Sequence, residues 1–73
     1  MKENFKNLSI EEQYKVVMSG IKELETTIAI QEKAAYLTYQ INISKFSYNL
    51  RRLLLEEVKL KLNTLKNTNL RTK

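Results

Sequence analysis

The sequence predicts an all-α fold, a helix-loop-helix hairpin whose copies pair into a dimeric helical bundle. Three observations predict it. Proline is absent and glycine occurs once, at Gly20, while Leu, Lys, Glu and Ile abound, so chain breakers are scarce and helix formers plentiful. Apolar residues recur at helical spacing along two successive stretches. The leucine run from Leu50 to Leu65 covers more of a helix than one neighbour can shelter.

Residues 1–8 read as a flexible lead-in. Ser9-Ile10-Glu11-Glu12 then matches a capping box, in which the Ser9 hydroxyl accepts from the Glu12 N–H and the Glu12 carboxylate accepts from the Ser9 N–H. Ile10, Tyr14, Val17, Ile21, Leu24 and Ile28 follow at spacings of 4, 3, 4, 3 and 4, a heptad seam that buries a narrow stripe against another helix. Gly20 falls inside it. The reading favours a tolerated interior glycine with the helix running on, and a C-cap that ends a short first helix is the alternative.

After Ile28 the register slips, and Ile30, Ala34, Leu37 and Ile41 begin a second seam. A slip of this kind signals a change of contacting partner. Residues 36–43 are ambiguous, because Leu37, Tyr39, Ile41 and Ile43 alternate as a strand would. A lone strand has no partner in the chain, so helix is favoured.

Asn42 or Ser44 can cap the last helix, placed at about 45–66. At about 100° per residue, Leu50, Leu53, Leu54, Leu55, Val58, Leu60, Leu62 and Leu65 take up more than half its circumference. A stripe so wide calls for two neighbours, one in the same chain and one in a second copy. Leu50, Leu54, Val58, Leu62 and Leu65 are the expected dimer interface. The organisation is thus a lead-in (1–8), a dimerisation domain (9–66) and a flexible basic tail (67–73).

Small size supports the same expectation. A 73-residue chain is one domain at most and its lone core is marginal. Cys, His and Asp are all absent, which removes disulfides and ordinary metal clusters as staples and leaves self-association. The longest apolar run, Ala34-Ala35-Tyr36-Leu37, is far short of the roughly 18 residues of a membrane span. No signal-peptide core follows Met1, so a cytoplasmic location is expected.

The same composition argues against catalysis. General acid–base chemistry draws most often on His, and the adjacent pairs Glu11-Glu12 and Glu56-Glu57 diverge on a helix. No glycine-rich phosphate loop is present. The chain is expected to be no enzyme, to need no cofactor or metal, and to have no small-molecule substrate and no membrane role.

Charge points to contact instead. Residues 1–43 carry five Lys against six Glu, a net of −1, whereas residues 44–73 carry eight Lys and Arg against two Glu, a net of +6. Lys45, Arg52, Lys59 and Lys66 repeat every seven residues, and Arg71 and Lys73 extend the charge to the end. Such a stripe fits an acidic protein surface or nucleic acid. It is equally the solvated back of an amphipathic helix, with Glu56 within reach of Arg52 and Lys59 and Glu57 paired with Lys61. Arg51, at the edge of the leucine stripe, is read chiefly as a side chain covering its neighbours, with an interface ion pair as the alternative. Tyr14 is expected in the core, and Tyr36, Tyr39, Phe46 and Tyr48 are read chiefly as closing the open end of the bundle, with a binding platform as the alternative.

Two functional classes follow. One is an interaction protein that docks through its basic segment. The other is a small DNA- or RNA-binding regulator, weakened because a recognition helix shows polar and basic side chains to a groove whereas this one is mostly leucine. In organisation the chain resembles small phage-type internal scaffolding proteins, in particular the capsid-size-determining proteins of staphylococcal pathogenicity islands. The resemblance rests on a short Lys/Glu/Leu/Asn-rich helix-loop-helix ending in the basic segment Asn67-Thr68-Asn69-Leu70-Arg71-Thr72-Lys73. It implies a homodimer whose basic C-terminus contacts a capsid protein and directs shell assembly or size. Leu70, Arg71 and Lys73 would then touch the coat, with Lys66, Lys59 and Arg52 continuing the contact.

Overall fold

A computed structural model describes the backbone of residues 4–71 and the side chains of residues 4–65. A 3-10 turn, Phe5–Asn7, precedes three helices: α1 (Ile10–Glu23), α2 (Ile30–Ile43) and α3 (Tyr48–Arg71). The described residues contain no strand, and the ambiguous stretch 36–43 is helical. The expected two-helix hairpin is therefore a three-helix arrangement.

The lead-in is more ordered than its composition suggests. Asn4 Oδ1 accepts from the Lys6 N–H at 3.2 Å, and Phe5 is buried in the core. The capping box forms as the sequence indicates, with Ser9 Oγ accepting from the Glu12 N–H (3.2 Å) and Glu12 Oε1 from the Ser9 N–H (3.1 Å).

Of the first seam, Val17, Ile21 and Leu24 are buried, while Ile10 and Tyr14 are partly exposed. The helix stops after Glu23 instead of continuing to Ile28, which is 100% exposed. The cause is local. Residues 24, 25 and 26 switch to bonds three residues back, and the Thr26 hydroxyl donates to the Glu23 carbonyl at 3.3 Å, taking an acceptor that an extended helix would use. Gly20 lies inside α1 and does not cap it. A Cβ there would lie 2.5 Å from Leu37 Cδ2, so the missing side chain is what lets α2 approach α1.

The second seam forms as read: Ala34, Leu37 and Ile41 are buried, with Ile30 packed at the edge of the core. Ser44 ends α2, its N–H and hydroxyl both donating to the Ile41 carbonyl. Neither Asn42 nor Ser44 caps the last helix. That role falls to Ser47, whose hydroxyl accepts from the Leu50 N–H at 3.2 Å and whose carbonyl accepts from Arg51. The helix runs past residue 66, where the tail was expected to begin, as far as Arg71.

The leucine run also resolves differently. Leu54 (5% exposed) and Val58 (3%) are buried by the chain's own helices, so these two of the five positions assigned to a second copy are already covered. Leu50, Leu62 and Leu65 are half-buried against the same core, and Leu53 and Leu60 point outward. The two neighbours demanded by the wide stripe are α1 and α2.

Gln13, which a hydrophobicity pattern passes over, is fully buried. Its Nε2 donates to the Phe5 carbonyl and its Oε1 accepts from the Lys45 N–H, each at 2.9 Å. One side chain thus ties the N-terminal turn and the loop between α2 and α3 to α1. The Cα envelope measures 43 × 31 × 15 Å.

Candidate partner-binding surfaces

α3 decides what the surface can do, because it is longer than either neighbour. Its 24 residues exceed the 14 of α1 and of α2. The excess corresponds to about 15 Å of helix. Arg52 and Lys59 are exposed on its outer side, as their spacing indicates. Lys45 does not join them. It lies in the loop before α3, where its Nζ donates to the Leu8 carbonyl at 2.9 Å. The side chains of Lys66, Leu70 and Arg71, and all of Lys73, lie outside the described residues.

Hollows flank α3 on both sides. A cleft lies against α2. Ala34, Ala35 and Thr38 form one wall, with Gln31 at its end, and Leu55, Val58 and Leu62 form the other, with Lys59 on the lip. The Thr38 hydroxyl donates to the Ala34 carbonyl at 2.9 Å, so that wall presents methyl groups. On α3, Arg51 precedes Leu55, Val58 and Leu62 by 4, 7 and 11 residues and so continues their stripe. Its guanidinium reaches across to the Asn42 carbonyl at 3.5 Å, and its Nε is buried without a hydrogen-bond partner in the protein. Neither Arg51 nor Lys59 belongs to an ion pair among the described residues, where the pairs are Lys33–Glu23 and Lys61–Glu25.

The flank against α1 holds two separate hollows. Ile10, Tyr14 and Leu50 line one, with Glu11 and Lys15 beside them; Met18, Lys22, Glu57 and Lys61 line the other. Leu53 and Leu60 flank Glu57 by four and three residues, on the same side of α3, and are 59% and 57% exposed. This face is apolar and carries both signs of charge.

Lys61 meets Glu25 of the turn after α1 at 2.7 Å, instead of the Glu57 expected from its spacing. The hydrogen bond and charge of Lys61, helped by Lys22, hold the Glu25 carboxyl below the usual carboxylate range. The aromatic residues part company as well. Phe46 is buried and meets Tyr14 edge-on at 6.3 Å, whereas Tyr36, Tyr39 and Tyr48 are exposed and close nothing.

No helix among the described residues is long and apolar enough to cross a membrane. Comparison with known protein families, with curated proteins and with solved structures finds no match.

Proposed function

We propose that the chain is a non-enzymatic helical homodimer that acts as an assembly factor through protein contacts. The observation that carries this reading is the exposed apolar face between α1 and α3. A two-fold interface must be complementary to itself. The α1–α3 face can be, because Glu11 and Glu57 sit among Lys15, Lys22 and Lys61. The α2–α3 cleft cannot, because Arg51 and Lys59 are both cations and two copies would oppose like charges there. The second copy therefore covers Leu53, Leu60 and their neighbours on α1, in place of Leu54 and Val58.

With that face occupied, the cationic side of α3 is left for an acidic partner. The internal scaffolding resemblance makes a capsid protein that partner, met by the basic C-terminal segment. The alternative is a DNA- or RNA-binding regulator, which would draw on the exposed Arg52 and Lys59. The test of the dimer is a Leu53→Glu, Leu60→Glu double variant. Both residues are exposed, so circular dichroism should keep its helical signal while light scattering shows the mass fall to one chain. An unchanged mass would reject this face as the interface. For the alternative, a DNA titration in rising salt decides: tight low-salt binding that weakens steeply would favour it.

A further inference from the structure

We propose that the cleft between α2 and α3 takes one amphipathic helix of an acidic partner protein, with a carboxylate of that helix lodged on Arg51. The inference rests on the reading that this chain works by protein contact, and it names the site and the kind of partner.

Charge selects the occupant. The walls are apolar and the ionic group that lines them is a cation, Lys59 on the lip; Arg51 stands just beyond the lining, one turn before Leu55 on the same stripe of α3. Arg51 is half-buried, its hydrogen bond among the described residues goes to one backbone carbonyl at the long distance of 3.5 Å, and its Nε is buried without a partner there. Nε is closed off inside the protein, so a partner carboxylate meets the outer guanidinium nitrogens, through the charge-assisted bonds that a neutral or basic segment could not supply.

Shape selects a helix. Along α2 the lining runs from Gln31 through Ala34 and Ala35 to Thr38, a stripe of about two turns. The small side chains of Ala34 and Ala35 keep that wall low enough for a backbone to approach. The walls are helical and the described residues offer no strand edge, so docking of a helix by apolar residues three, four and seven apart is the mode that fits. A second copy placing its own α3 here would oppose Arg51 and Lys59 to like charges.

A phage-displayed library of random helix-forming peptides, selected on the native chain, tests this. Enriched peptides should carry apolar residues at helical spacing and an excess of Asp and Glu. Their binding should fall by about tenfold or more on Arg51→Gln, the loss expected for one charge-assisted contact. It should fall comparably on Ala35→Trp, which fills the cleft from an exposed position, while Ile28→Ser leaves it unchanged. Circular dichroism checks that each variant folds. No enrichment, or enrichment of basic or uncharged peptides, overturns the proposal. So does acidic-peptide binding that survives Ala35→Trp, although that result keeps the contact reading and moves its site. Peptides that split the dimer would assign the cleft to a second copy and equally overturn it. Failure of the dimer reading is read separately, as a one-chain mass with no peptide present.

Discussion

Gly20→Ala should destabilise this protein, against the usual effect of that change in a helix. In an unobstructed helix interior, Ala is favoured over Gly by about 1 kcal/mol. Here the new methyl would lie 2.5 Å from Leu37 Cδ2, and Leu37 is 1% exposed, so it has little room to withdraw. Overpacking of this kind costs about 1–3 kcal/mol. The balance is a net loss of about 0–2 kcal/mol. The decisive version is a double-mutant cycle with Leu37→Val, which removes both Cδ atoms, including the one at 2.5 Å. In that background Gly20→Ala should become stabilising by up to about 1 kcal/mol, a coupling within the range seen for touching residues. Urea unfolding followed by circular dichroism, at one fixed protomer concentration, reads all four corners. The reasoning fails if Gly20→Ala stabilises the native chain as it would a solvent-facing helix, or if the effect is the same in both backgrounds.

Gln13→Ala should cost about 1–3 kcal/mol, because it strips partners from the buried Phe5 carbonyl and the Lys45 N–H, and amide exchange at Lys45 should accelerate. Leu54→Lys should unfold the chain, since it places a charge in a core position, whereas Ile28→Lys should shift stability by no more than about 0.5 kcal/mol; thermal melts of the pair compare the two. Glu25 has a lowered folded-state pKa, so its contribution is present above its unfolded value of about 4.3 and is lost as pH falls through the folded value; Glu25→Gln should flatten that acid limb of the stability curve. The pair is exposed, so the change should be small and should shrink in salt.

Local chemistry was the part of the fold most readily legible in the sequence. The Ser9–Glu12 box depends on four consecutive residues and forms as written. The seam of Ala34, Leu37 and Ile41 depends on a single helical period. The end of α1 was hidden because Ile28 keeps the heptad phase, although Thr26 and Thr27, β-branched and able to bond backward, were the available signal. Gln13 could not be found from pattern, since its partners lie 8 and 32 residues away. The breadth of the leucine run indicated two neighbours but carried no information about which chain supplies them. Intrachain α1 and α2 took Leu54 and Val58, and Leu53 and Leu60 were left outside. At the candidate surfaces, seven-residue spacing was enough to put Arg52 and Lys59 outside. The reach of Arg51 to the Asn42 carbonyl depends on where α2 lies, which no local feature of α3 encodes.

Sedimentation equilibrium of the unaltered chain over a range of concentrations tests the central claim most directly. If a second copy covers the face between α1 and α3, the mass should approach twice the 8.6 kDa of one chain at micromolar concentration, and dilution should bring it down. A mass of 8.6 kDa throughout, with a cooperative melt that does not depend on concentration, would contradict the account.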